Sequence, residues 1–347
     1  MIKVLIVDDS AFMRNTLSGM ISTDPEIRVV GTARNGLEAV EKVADLKPDI
    51  VTMDVEMPVM DGIEALKHIM ARNPVPVLMV SSLTTEDAKV TLDALDLGAV
   101  DFVSKNLSDL SINIVKIKDI LIEKIKAVAR NGRVSKKRPD IASKPLDMPR
   151  RGLKTVHRKI GIVAIGTSTG GPRALQHILS RIPKDFPVPI LIAQHMPAAF
   201  TGPFAERLNQ LSAIEVKEAE HGEPVRKGVA FIAPGIGHMG VTRRKITETL
   251  ITISEDNGTY IYKPSVDMLM LSAVEYYSGQ VLGVILTGLG SDGSRGMKEI
   301  KNKGGKTIAE SKETCVVYGM PKAVVEAGIA DKIAPLDEIA GEIINSV

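Results

Sequence analysis

The sequence predicts two α/β domains, each built on a doubly wound, mainly parallel sheet. Three observations carry this expectation. The first ~130 residues alternate five apolar, β-branched runs with five helical patterns, as a chain of βα units does. From Asn131 to about Arg158 the periodicity is lost and Pro, Ser, Lys and Arg dominate, a linker composition. A second strand–helix alternation opens at "KIGIVAIG" and continues to the C-terminus. The domains are therefore placed at residues 1–130 and 158–347, with a basic linker at 131–157.

In the first domain the strand candidates are "KVLIV", "VVGTA", "DIVTM", "VPVLMV" and "DFVSK". Helical spacing of apolar residues appears between them at Ala11–Ser22, Gly36–Leu46, Asp61–Ala71 and Thr85–Leu97, and then in "SINIVKIKDILIEKIKAVA". In the second domain the strands are read at "KIGIVAIG", "PILIAQ", "VAFIAP", "TLITIS", "VLGVILTG" and "KTIAES". Helices are read at Gly171–Ile182, Phe200–Leu211, Ser265–Tyr277, Arg295–Asn302 and Leu336–Ile344.

Composition narrows the function classes. With 44% hydrophobic and 25% charged residues, the 347-residue chain reads as soluble and globular. The net charge of +2 hides an uneven distribution. Residues Asn131–Lys159 hold ten Lys/Arg against two Asp, which leaves the remainder at −6. That basic stretch lacks aromatic residues and a helix-turn-helix pattern, so it reads as a solvated linker rather than a nucleic-acid contact. Cys315 is the one cysteine, which excludes an intrachain disulfide and suggests a buried thiol. "MIKVLIVDD" enters a strand directly and does not resemble a secretion signal, and the apolar runs are too short to cross a bilayer. A cytoplasmic location is expected.

Functional groups in a parallel α/β sheet gather at the C-terminal ends of the strands. In the first domain those ends carry Asp8 and Asp9, Asp54, Ser81 and Ser82, and Lys105. Each residue alone has an ordinary reading as a helix cap, a strand end or solvated surface. Together they place three carboxylates at adjacent strand ends, a costly arrangement without a cation. A hard divalent ion such as Mg²⁺ suits their oxygens. With Mg²⁺ and a lysine neutralising the transferred oxygens, Asp54 has the chemistry to accept a phosphoryl group.

In the second domain "GTSTGG" fits G-x-S-x-G, a strand-to-helix turn that exposes a serine. It lacks the second glycine of a dinucleotide fingerprint and the Gly-Lys-Ser/Thr ending of a P-loop. On its own Ser168 is as readily an ordinary helix cap before Pro172 as a nucleophile. Of six histidines, His195 ends the strand that follows the Ser168 unit, where parallel neighbours bring the two within reach. His221 and His238 lie in turn-like "EHGE" and "IGHMG". Asp292 lies in the Gly-rich turn after "VLGVILTG" and completes a Ser…His…Asp order. Free amides at the start of the helix near Gly171–Pro172, with those of "GLG" near Leu289, suit an oxyanion.

Residues 1–106 resemble a response-regulator receiver domain, which implies a flavodoxin-like (βα)5 fold. Carried across, the resemblance makes Asp54 the phosphoacceptor. Asp9, Asp54 and the Glu56 backbone carbonyl would bind Mg²⁺ with Asp8 assisting. Ser81 would be the switch hydroxyl, Phe102 the switch aromatic and Lys105 the phosphate-contacting base. The family's usual Lys-Pro is here Lys105-Asn106. Residues ~158–347 resemble the catalytic domain of the chemotaxis protein-glutamate methylesterases. The runs that carry this likeness are "IGTSTGGP", "QHMP", "FAERLN", "KPSVDMLM", "GVILTGLGSDG" and "CVVYGMP".

That likeness implies a Ser168–His195–Asp292 triad with the Leu289 N–H as an oxyanion donor and no cofactor in this domain. It also implies hydrolysis of γ-glutamyl methyl esters, and deamidation of glutamines, on methyl-accepting chemotaxis receptors. A chemotaxis histidine kinase would be the phosphodonor, and the receiver would inhibit until phosphorylated. A monomer is expected, without nucleic acid or membrane insertion.

Overall fold

The computed structural model describes all residues except 82–83, 106–109, 132–158, 246–247, 256–257, 259 and 261. The side chains of 85–87, 110–117 and 131 are likewise outside the description. Ser82, Asn106 and nearly all of the linker placed at 131–157 therefore lie outside the described residues. The chain divides into two compact units, Met1–Lys136 and Lys137–Val347.

The first unit runs β1 (Ile2–Val7), α1 (Ala11–Ile21), β2 (Ile27–Ala33), α2 (Gly36–Leu46), β3 (Ile50–Asp54), α3 (Gly62–Arg72), β4 (Val77–Ser81), α4 (Thr85–Leu97), β5 (Asp101–Ser104) and α5 (Leu110–Asn131). Its five strands are parallel in the order β2-β1-β3-β4-β5. The central strands are mainly apolar because helices cover both faces, and Ile50, Val51, Val77 and Leu78 are sealed from solvent. Local signals set the helix starts. Asn35 Oδ1 accepts from Glu38 N at 2.9 Å, and Asp61 Oδ1 from Glu64 N at 2.7 Å. The cap of α1 is Ser10, so Asp8 and Asp9 are not needed for that task.

The second unit runs β6 (Ile162–Thr167), α6 (Gly171–Leu179), β7 (Ile190–Gln194), α7 (Ala198–Leu211), β8 (Glu215–Glu218), β9 (Val229–Ile232), β10 (Gly237–Lys245), β11 (Glu248–Glu255), α8 (Val266–Tyr277), β12 (Val281–Ile285), α9 (Ser294–Asn302), β13 (Lys306–Glu310), α10 (Met320–Glu326), β14 (Lys332–Ala334) and α11 (Leu336–Ser346). Seven strands form a parallel sheet in the order β14-β13-β12-β6-β7-β9-β8, and β10 pairs antiparallel with β11. The fold class is thus the one the sequence predicts. From β6 the order proceeds to β7 on one side and to β12 on the other. This is a topological switch point, where the strand ends leave a crevice. The turns after β6, β7 and β12 carry Ser168, His195 and Asp292.

Four elements were not expected. β8 and β14 are the edges of the sheet, and their half-exposed sequences "EVKE" and "KIA" show no apolar run. β10 ends in exposed Arg243, Arg244 and Lys245, which hide its apolar start, and α10 is only seven residues long.

Candidate active site and phosphoacceptor pocket

In the first unit, parallel pairing of β1, β3, β4 and β5 brings the predicted strand ends together. Ligand oxygens of Asp8, Asp9 and Asp54 lie within 4.8 Å of one another. Lys105 Nζ pairs with Asp54 Oδ2 and reaches Asp8 Oδ2 at 3.0 Å. A cavity of about 420 Å³ opens on this cluster, lined by Asp9, Asp54, Glu56 and Lys105. Burial pushes the Asp54 carboxyl up to about 6, with the Asp8 charge adding to it and Lys105 opposing. Burial pulls the Lys105 ammonium down, but Asp54 and Asp8 more than offset this and hold it above its usual range.

One ammonium among three carboxylates leaves the cluster net negative. Asp8 Oδ2 is sealed from solvent, with the Lys105 charge beside it but no well-directed hydrogen bond. An all-oxygen donor set with an orphaned buried oxygen fits a hard divalent cation. Glu56 lines the cavity, but its carboxylate is not among the clustered oxygens. Ser81 is buried at the end of β4 and its hydroxyl accepts from Thr91 Oγ1 at 2.9 Å. Phe102 is buried with the Lys124 ammonium 6.0 Å from its ring centroid, so the ring is packed inward.

In the second unit, β6 and β7 pair with Thr167 opposite Gln194, so Ser168 and His195 follow at the next positions of adjacent parallel strands. The His195 N–H donates to the Thr167 carbonyl at 3.1 Å. Gln194 Nε2 donates to the carbonyls of Ser168 and His195, both at 3.0 Å, and so ties the two turns together. Ser168 is 7% exposed and its hydroxyl has no hydrogen-bond partner among the described residues. The backbone turns to enter α6 at Gly170, whose φ of +80° and lack of space beside Val316 require glycine.

His195 Nε2 lies 2.8 Å from Asp292 Oδ2, and its Nδ1 is buried without a partner. The ring stacks on Tyr262 with centroids 4.4 Å apart and planes 7° from parallel. Asp292 is held from four sides. Val266 N donates to Oδ2 at 2.7 Å, Asp267 N to Oδ1 at 3.0 Å, and Ser265 Oγ to Oδ1 at 3.1 Å; His195 is the fourth. The carboxylate therefore sits at the positive end of α8. Burial raises its pKa, yet His195 and these amides more than offset that and hold it below the usual carboxylate range. The geometry keeps one imidazole nitrogen occupied by a carboxylate and leaves the other unpartnered, as a proton-accepting histidine requires.

The oxyanion expectation is partly corrected. The Gly171 N–H is taken by the Ser168 carbonyl at 2.8 Å and Pro172 has none, so the start of α6 offers fewer free amides than its sequence suggests. The Leu289 N–H has no hydrogen bond among the described residues, and its loop reaches Ser168 through Gly288. A Cβ on Gly288 would stand 2.9 Å from Ser168 Cβ and 2.3 Å from Met320 Sδ. Gly288→Ala is therefore expected to displace the Ser168 turn and to lower turnover roughly a hundredfold, the cost of misplacing a reacting group by about 1 Å. Steady-state assays of the folded variant check this; wild-type turnover would show that the loop does not set the position of Ser168.

Sequence reasoning did not find several supports. His238 is buried, and its Nδ1 accepts the Ser265 N–H at 3.0 Å beneath the Asp292 clamp. Glu310 is sealed in the core and accepts the Thr287 N–H at 2.8 Å. Thr287 in turn accepts the Ser168 N–H at its carbonyl, at 3.1 Å. A buried carboxylate at the end of β13, read from "KTIAES", was the one available signal for this second layer.

The two sites define a class: a two-domain α/β protein that has an acidic strand-end pocket in one unit and, in the other, a histidine–aspartate pair on the strand end next to a serine turn. Residues 163–343 match the family described as CheB methylesterase, and residues 4–114 match the response regulator receiver domain. The chain belongs to the CheB methylesterase family and carries a receiver domain. It is 51% identical to the protein-glutamate methylesterase/protein-glutamine glutaminase 2 of Nitratidesulfovibrio vulgaris over the full length of both chains. Identity to the corresponding Halalkalibacterium halodurans protein is 48%, over 99% of this chain and 97% of that one. The solved catalytic domain of Thermotoga maritima CheB methylesterase is 44% identical and fully covered, over 55% of this chain, with a TM-score of 0.53. Among the described residues no helix is long and apolar enough to cross a membrane.

Proposed function

We propose that the chain, with a receiver at 1–130, a linker at 131–157 and a catalytic domain at 158–347, hydrolyses glutamyl γ-methyl esters on chemotaxis receptors and deamidates specific receptor glutamines. The observation that carries the reading is the His195–Asp292 pair at 2.8 Å with an unpartnered imidazole nitrogen, one strand from Ser168. In this mechanism His195 Nδ1 takes the Ser168 proton as Oγ attacks the ester carbonyl, and the Leu289 N–H meets the oxyanion. The C–O bond breaks, and methanol leaves with the proton returned by His195. Water activated by His195 then releases the glutamate carboxylate; on glutamine the leaving group is ammonia. Asp292 stays ionised and holds the imidazole in its working tautomer. The chemistry needs no cofactor in this domain.

In the receiver, Asp54 accepts a phosphoryl group from a chemotaxis histidine kinase. Asp9, Asp54 and the Glu56 carbonyl would hold Mg²⁺ with Asp8 assisting, and the ion would supply charge neutralisation for the transferred oxygens. Lys105 contacts the phosphoryl group, and Ser81 and Phe102 report the change. The unphosphorylated receiver lowers esterase activity, and phosphorylation relieves this by a shift in population. The protein works in the cytoplasm as a monomer, without nucleic acid.

The test is methanol release from methylated receptor membranes with and without a small-molecule phosphodonor. Release is expected to rise with the donor. Asp54→Asn, or removal of divalent cations, is expected to abolish the donor-dependent increment while hydrolysis persists. A donor response that survives Asp54→Asn would place the phosphoacceptor elsewhere. Deleting residues 1–150 is expected to raise basal release, and unchanged release would remove the inhibitory role.

A further inference from the structure

The first turn of α6 breaks two local rules at once. A helix N-terminus is the positive end of its dipole and favours acids, and α2, α3, α8 and α11 carry Glu38, Glu64, Asp267, and Asp337 with Glu338 there. The first turn of α6 has no acid and carries Arg173; α9 likewise begins without an acid and with Arg295, but Arg295 is exposed to solvent. Arg173 is half-buried, and burial pulls its guanidinium below the usual arginine range. Among the described residues it makes no hydrogen bond or ion pair, whereas Arg14, Arg34 and Arg226 are all partnered. A desolvated cation at a positive helix end, with no acid beside it, is destabilising to the fold. Such conflicts between local preference and structure concentrate at functional sites.

Placement says which site. Arg173 lies five positions after Ser168, and Ser168 ends the turn that leads into α6. Side chains on a helix tilt toward its N-terminus, which directs Arg173 toward the end of α6 that follows the Ser168 turn. A guanidinium does not exchange protons at neutral pH, so it offers no acid–base chemistry. Its planar fork of donors matches a carboxylate in two parallel hydrogen bonds.

We propose that Arg173 is a substrate-recognition residue, whose guanidinium binds a carboxylate of an acidic polypeptide segment flanking the glutamyl group that Ser168 attacks. This rests on the esterase reading and adds to it a preference for acidic surroundings. The missing internal partner of Arg173 is supplied by the substrate. The dipole of α6 adds to the attraction for the same anion.

The test uses the full chain and two peptides, each with one γ-methyl-glutamyl residue, flanked by glutamates in one and by serines in the other. Methanol release gives kcat/KM for each. The wild type is expected to favour the acidic peptide about tenfold, as one charge-assisted bidentate contact allows. Salt should shrink that ratio. Arg173→Gln is expected to bring the ratio near one, and Arg173→Lys to keep part of it. A ratio preserved in Arg173→Gln overturns the inference. So does an equal loss on both peptides, which would mark Arg173 as structural or as a stabiliser of the oxyanion. If the wild type cleaves both peptides equally, the inference fails while the esterase reading stands. If it releases methanol from neither peptide nor receptor membranes, both fail.

Discussion

Replacing Ser168 with alanine should reduce methanol release by roughly 10⁴- to 10⁶-fold, the loss seen when a triad nucleophile is removed. The size of the effect follows from the division of labour in the site. On the proposed mechanism no glutamyl-enzyme forms without the hydroxyl, and His195 and the Leu289 N–H would retain only what they do for direct attack by water. The fold should not notice. The hydroxyl has no hydrogen-bond partner among the described residues, while the Ser168 backbone makes its contacts through N–H and C=O. Thermal denaturation of Ser168→Ala should therefore match the wild type, which separates lost chemistry from lost structure. Near-normal turnover would end the nucleophile assignment and return the Gly-rich turn to the role of a ligand cradle, with nucleotide titration the next experiment.

The parts of this site that were legible in the sequence are those that depend on strand ends. Apolar runs mark parallel strands, the C-terminal end of each strand is readable, and Asp8, Asp54, Lys105, Ser168, His195 and Asp292 all sit at such ends. What was not legible depends on contacts between segments distant in sequence. Tyr262 stacks on His195 although 67 positions separate them, and nothing in "YIYKPSV" signals an aromatic partner for an imidazole. His238 was set aside as a turn residue, yet it sits beneath the N-cap of α8. The free amides of α6 were overcounted because a sequence does not show that Ser168 itself turns back to use the Gly171 N–H. Edge strands were missed for another reason: one face meets solvent and the run is short, so the apolar signal falls away.

Asp292→Asn should cost about as much as a serine-protease triad suffers when its aspartate becomes asparagine, roughly 10⁴-fold in kcat. The hydrogen-bond inventory explains why so small a change matters. Every partner of the Asp292 carboxylate is a donor: His195 and the Val266 N–H at Oδ2, the Ser265 hydroxyl and the Asp267 N–H at Oδ1. An asparagine has only one acceptor end, so its NH₂ must face a backbone N–H whichever way the amide lies. If the NH₂ points to Oδ1's place, the start of α8 is left with an unmatched amide, at about 1–3 kcal/mol. If it points to Oδ2's place, His195 Nε2 must become the acceptor and the ring proton moves to Nδ1, the nitrogen assigned to Ser168. Both orientations remove the negative charge that stabilises an imidazolium. Asp292→Asn should therefore lose kcat with little change in KM and also lose some stability, unlike Ser168→Ala. The stability difference has a sign. A carboxyl held below its usual pKa stabilises the fold above the ordinary carboxylate range, and that contribution fades as pH falls through the folded value. The denaturation gap between wild type and Asp292→Asn should accordingly be widest near neutral pH and close in acid. A gap that does not change with pH would mean that Asp292 is not held as an anion by α8 and His195.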